Sequence, residues 1–214
     1  ALIRSKIEQS VAAKAPELLG PARSYSVDVT GGFIDFMRGR IKRVYIKGKD
    51  VRLENGIVVD SLVVNLSGVH FKRDQTITGI DRTTFTASLS ERHLQDYLRK
   101  SRSDMSDSEV SLPDGRLVLR AKPRVMAIKT PVKIEGKLQI ENGTRLNIIL
   151  SNASAVGIRV PGFVRGRIQK SVNPVMDTKK MGMQGKLTKV EIKKGHIALS
   201  GTADVSKALV AKQR

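Results

Sequence analysis

The spacing of apolar positions changes several times along the chain, and each change marks an element. Ile3, Ile7, Val11, Ala15 and Leu18 recur at helical intervals and stop at Gly20-Pro21, which predicts an amphipathic helix over 2–19. Tyr25, Val27 and Val29 then alternate with polar residues, as in a half-buried strand. Gly31-Gly32 opens FIDFM, a single helical turn. From Arg40 the period is two: Val44 and Ile46 face one way, Arg43, Tyr45 and Lys47 the other. Asn55-Gly56 is a strong hairpin signal, and Ile57 to Phe71 is the long return strand.

The second half alternates in the same manner. Thr83 to Leu89 predicts a strand, and Ser90 caps a helix over ERHLQDYLRK, with Leu89 and Leu94 placed as a hydrophobic staple. A polar loop is expected at 101–109, then strands at 116–120, 124–140 and 144–151, separated by turn residues. Pro161-Gly162 begins the second longer helix, FVRGRIQKSVNPVMD. Its stripe is Val164, Ile168, Val172 and Val175, Arg167 and Lys170 fall off it, and Pro174 should kink or end it. A hairpin closes the chain: Val190 and Ile192 lead to Lys194-Gly195, and Ile197, Leu199, Ala203 and Val205 return on one face. Hairpins dominate, so the sheet should be antiparallel with helices on one face. No linker rich in Pro, Gly or Ser divides the chain, so residues 1–214 are expected to form a single α+β domain.

Charge narrows the choice of partner. Lys and Arg number 39 against 20 Asp and Glu, a formal net charge of +19, which attracts a polyanion: nucleic acid or the anionic face of a membrane. The chain has no Cys, which excludes a disulfide frame and a thiolate metal site. No run of about 18 apolar residues occurs to span a bilayer. The opening ALIRSK lacks an initiator Met, consistent with removal of a signal peptide or anchor.

Catalytic chemistry is not expected, nor is a metal or cofactor. His70, His93 and His196 stand far apart, and none has a second ligand at metal spacing. GMQGKLT at 182–188 places two residues between its glycines, where a phosphate loop needs four.

Binding chemistry concentrates in one stretch. From Arg38 to Arg52 the chain carries seven Lys or Arg and one Asp. Phe33, Phe36 and Met37 lie just before, beside Arg38 and Arg40. Apolar groups entering the acyl boundary while guanidiniums meet headgroup phosphates would use that pairing. The competing reading packs Phe33 and Phe36 into the core. Nucleic acid is the less favoured polyanion, because aromatic residues are 4% of the chain and Tyr45 alone lies inside the ribbon.

Several segments in order resemble the LmeA-like family of bacterial phospholipid-binding proteins: FMRGRIKRVYI (36–46), LSERHLQDYL (89–98), PGFVRGRIQKSVNPVMD (161–177) and GKLTKVEIKKGHIALSGTADV (185–205). The resemblance implies a curved antiparallel sheet wrapped around a long helix, a tubular lipid-binding (TULIP-like) architecture, here with an additional N-terminal helix. It implies binding of phospholipids at the bacterial cell envelope or membrane periphery, and no enzymatic activity. It carries no catalytic residues to transfer, so the site residues rest on chemistry. Headgroups are assigned to Arg38, Arg40, Arg43, Lys47, Lys49, Lys179 and Lys180. Membrane or acyl contact is assigned to Phe33, Phe36, Met37, Phe163, Ile168, Val172 and Met176. The expected partners are anionic phospholipids, met peripherally. A nonspecific nucleic-acid-binding protein is the alternative, and an envelope scaffold acting through its sheet edges is a third.

Overall fold

Long-range pairing gathers the alternating stretches into two sheets, seen in a computed structural model that describes residues 2–72, 76–101, 107–121, 131–155, 158–181 and 185–204. The first holds β1 (Ser24–Thr30), β2 (Arg40–Arg52), β3 (Val58–Phe71) and β4 (Ile77–Ser90), then β12 (His196–Ala203) and β11 (Gly185–Lys193), side by side in that order. The second runs β10 (Met176–Asp177), β8 (Arg145–Ala155), β7 (Val132–Glu141), β6 (Leu117–Ala121), β5 (Glu109–Ser111), with β9 (Ile158–Arg159) also on β8. Every pairing is antiparallel, as the hairpin signals require. One apolar cluster joins the two, with Val44, Ile46, Val64, Phe85 and Leu199 from the first sheet and Leu117, Ile134, Leu146 and Ile148 from the second.

The phase of β2 shifts twice, first between buried Ile41 and Val44. Val44, Ile46 and Gly48 point inward, then Asp50 takes a left-handed backbone (φ 49°) and Val51 becomes the buried residue. Asp tolerates that conformation better than most residues. Gly48 is required where it stands: a Cβ there would lie 2.5 Å from Val51 Cγ2 and 2.6 Å from Tyr25 Cε1.

Among the described residues four α-helices accompany the sheets: α1 (Leu2–Leu19), α2 (Phe33–Met37), α3 (Glu91–Ser101) and α4 (Gly162–Val172). Three of them dock on strand edges through polar side chains, rather than lying across one face as the hairpin pattern suggested. From α1, Glu8 accepts the Val29 N–H at 3.1 Å on the outer edge of β1. Glu91, Gln95 and Arg99 of α3 form one row at four-residue spacing. Glu91 accepts the Leu112 N–H, Gln95 accepts the Val110 N–H, and Arg99 donates to the Ser108 carbonyl. On β8, Gln169 of α4 accepts the Leu150 N–H at 3.4 Å. Asn173 then accepts the Ile148 N–H at 2.7 Å and donates to its carbonyl at 2.8 Å.

Most element expectations hold. α1 spans the residues expected, although Leu18 is exposed and Leu19 packs on the core in its place, four residues after Ala15. Leu89 and Leu94 are both buried, and Ser90 Oγ accepts the His93 N–H at 3.4 Å, the staple and cap foreseen. β4 begins earlier than the expected Thr83, β5 begins at Glu109, the last residue of the expected loop, and residues 124–130 of the expected strand lie outside the described residues.

The helix expected through Asp177 stops at Val172. Pro174 lacks the N–H that another turn needs, and Met176–Asp177 pair with Leu146 and Arg145 as β10 instead. A long helix wrapped by a curved sheet is therefore not seen among the described residues: α4 has 11 residues and lies along the edge of β8.

Candidate functional site

α2 forms because Asp35 closes its first turn. Asp35 Oδ2 accepts the Gly32 N–H at 2.9 Å and lies 3.5 Å from Lys42 Nζ. The Gly32 hydrogen bond, helped by Lys42 and Arg40, holds the Asp35 carboxyl below the ordinary carboxylate range. Phe36 turns inward and packs against the core. Its ring lies over Gly31, where a Cβ would come within 3.4 Å of Phe36 Cζ. The opposite side of the turn is left to Phe33, Ile34 and Met37, which are 67%, 65% and 73% exposed. Of the three apolar residues assigned to this turn, Phe33 and Met37 are outward and Phe36 is half-buried. Ile34 joins the outward group and was not singled out from sequence. Positions 33, 36, 37 and positions 33, 34, 37 both make a helical face in so short a turn, and packing over Gly31 decides between them.

The cations follow directly. Arg38 and Arg40 are exposed beside α2, and Arg43, Lys47 and Lys49 project with Tyr45 from the outer face of β2. Alternate residues on a strand stand about 6.6–6.8 Å apart, so these charges form a ladder rather than a cluster. Among the described residues, none of Arg38, Arg40, Arg43, Lys47 and Lys49 is in an ion pair. Strand register carries the outer face across the sheet. Tyr45 is level with Asn65, Thr84 and Thr202, and Lys47 with Val63, Thr86, Ser200 and Lys189. A hydroxyl-rich strip is thus bounded by cations on both sides.

The other assigned residues are dispersed. Lys179 is exposed on the 3-10 turn before β11, four strands from β2, and the Lys180 side chain lies outside the described residues. Phe163 is 74% exposed at the start of α4, whereas Ile168 packs on the core and Met176 is buried. The Val172 side chain lies outside the described residues. Met176 lines a small apolar cavity of about 30 Å³ with Leu62, Phe85, Ala87, Leu187 and Leu199. One water fills about 10–15 Å³ by this measure, so the cavity does not admit an acyl chain as it stands.

Strand pairing also brings together groups that sequence spacing did not connect. Asp50, Asp60 and His93 have ligand-type atoms within 4.8 Å of one another. They are already engaged. Asp50 pairs with Arg23 at 2.9 Å, His93 Nδ1 is 3.1 Å from Asp60 Oδ1, and Asp60 accepts from the Ser90 N–H at 2.6 Å and its hydroxyl at 2.9 Å. Burial pushes the Asp60 carboxyl up, but the Ser90 hydrogen bonds and His93 outweigh it and hold it below the ordinary range. Asp60 thus ties β3 to the end of β4 and the start of α3, while Asp50 ties β2 to Arg23.

Exposed cations on the outer face of β2 beside an apolar-tipped turn are an arrangement chemically suited to both halves of an amphiphilic anion. The chain belongs to the LmeA-like phospholipid-binding family, which it matches over residues 1–202, as its motifs indicated. The family is described by lipid binding rather than by a reaction. No curated protein and no solved structure matches the chain. Among the described residues no helix is long and apolar enough to cross a membrane.

Proposed function

We propose that this protein binds anionic phospholipids peripherally, at a membrane surface of the bacterial envelope, without catalysing a reaction. Phe33, Ile34 and Met37 enter the acyl boundary, and Arg38, Arg40, Arg43, Lys47 and Lys49 hold headgroup phosphates. The observation that carries this reading is the set of three exposed apolar side chains on α2 beside exposed cations that have no carboxylate partner among the described residues. Each cation near an anionic surface contributes about 1 kcal/mol. The apolar tip contributes a term of similar size, so the two act together. Residues 1–214 act as one lipid-binding unit, a reading supported by the apolar cluster shared between the sheets. Nucleic acid is the weaker choice, because the outer face of β2 carries one aromatic side chain, Tyr45, for bases to stack on.

Two measurements test this. Mass spectrometry of an organic extract of the purified protein should find phospholipid. Co-sedimentation should occur with phosphatidylglycerol vesicles and not with phosphatidylcholine vesicles. Equal binding to both removes the electrostatic half of the proposal, and saturable oligonucleotide binding with no vesicle binding overturns it.

A further inference from the structure

A second corner of the molecule repeats the chemistry of α2. Ile158 on β9 and Phe163 at the start of α4 are each 74% exposed, more than any other large apolar side chain described. Between Glu141 and Asp177 the sequence has no acidic residue. Arg159, Arg165, Arg167 and Lys170 are exposed there, and among the described residues none of them is in an ion pair. Apolar tips amid unopposed cations complement an anionic bilayer rather than a protein surface of mixed charge.

The course of the chain puts this corner away from α2. α2 lies where β2 begins. Lys49, near the other end of β2, is level through Ser61, Ser88 and Ala198 with Glu191, so β11 runs away from α2 as it goes from Gly185 to Lys193. β7 passes β11 in the opposite sense: Leu138 shares a hollow with Val190 and Ile192, and the Gly143 carbonyl accepts the Leu187 N–H. β8 therefore runs away from α2 again, and β9 pairs with its last residues, Ser154 and Ala155.

We propose that the β9–α4 corner is a second membrane-inserting site, facing the opposite way from α2, and that one molecule bridges two anionic phospholipid surfaces. This rests on the lipid-surface reading given above.

The test uses phosphatidylglycerol vesicles, with co-sedimentation reporting attachment and light scattering reporting vesicle clustering. The full chain should sediment with vesicles and cluster them. The Ile158→Ser/Phe163→Ser variant should still sediment, held through α2, while its scattering falls to that of vesicles alone. Both positions are exposed, so an unchanged melting temperature certifies the variant as folded. Attachment of the full chain without clustering overturns bridging and leaves the lipid reading standing. So does clustering that persists in the variant, whereas loss of sedimentation in it overturns bridging and removes α2 as the attachment site. A full chain that neither sediments nor clusters overturns both.

Discussion

Replacing Phe33 and Met37 together by Ser removes most of the apolar tip of α2 while leaving its anchor, Phe36, in place. The variant is best made in a chain whose Ile158 and Phe163 are already Ser, so that α2 is the end that binds. Fully burying such a side chain is worth about 1.5–3 kcal/mol. Phe33 and Met37 are roughly two-thirds to three-quarters exposed, so each has about 1–2 kcal/mol still to gain on insertion. The pair should cost about 2–4 kcal/mol of vesicle affinity, a weakening of about 30- to 700-fold. Thermal unfolding should hardly change, because neither side chain packs in the core. Phe36→Ser is the contrast: its ring packs on the core over Gly31, so it should lower stability first and affinity only as a consequence. The assay is a titration of phosphatidylglycerol vesicles by co-sedimentation, beside a melting curve for each variant. A folded Phe33→Ser/Met37→Ser chain that binds within twofold of its parent would refute insertion at α2.

Reversing Arg43, Lys47 and Lys49 to Glu on the outer face of β2 should weaken vesicle binding by at least about 100-fold at low salt, from about 1 kcal/mol per cation. The gap should close near 1 M salt, where the Debye length is about 3 Å, and a large fall in melting temperature would show instead that this face is covered. Asp60 supplies a pH dependence: its carboxyl is held below its unfolded value of about 3.9, so its contribution to stability is complete above that pH and is lost as the pH falls towards the folded value. Asp60→Asn should flatten that part of the stability curve in denaturant titrations across roughly pH 5 to 3, and an unchanged curve would mean that the Ser90 and His93 contacts do not matter to folding.

The sequence showed local pattern well and long-range geometry poorly. The two hairpins at Asn55-Gly56 and Lys194-Gly195 are set by turn chemistry and fall where the residues say. α1 and α3 are legible because their apolar spacing and the Ser90 cap are local. The division into two sheets was not legible, since it depends on which strands meet after the chain has folded. The choice between an inserting and a packed Phe36 stayed open because a five-residue helix is too short for periodicity to choose a face, and the packed reading holds for Phe36 and not for Phe33. Ile158 carried no signal of exposure: in Val156-Gly157-Ile158-Arg159-Val160 the apolar residues alternate as on a strand, and alternation does not tell a covered face from a bare one. The row Glu91, Gln95, Arg99 could have been found, because a polar row at four-residue spacing on a helix next to a short strand has a specific use.

That row has a consequence for a protein that collects on a surface. Four residues of helix rise about 6.0 Å, and two residues of strand rise about 6.6–6.8 Å. A side chain every fourth position can thus keep step with the outward-facing groups of a strand, as Glu91, Gln95 and Arg99 do along Leu112, Val110 and Ser108. Gln169 and Asn173 do the same along Leu150 and Ile148. Each helix thereby occupies the row of donors and acceptors that a neighbouring copy would otherwise use to extend the sheet. Attachment to a bilayer crowds molecules into two dimensions and raises their encounter rate. With β5 and β8 partnered in this way, and α1 holding the Val29 N–H of β1 through Glu8, crowding along those borders leads to contact between helices and solvated side chains, and not to growth of a strand-paired polymer. An envelope scaffold joined through its sheet edges finds little to pair with there.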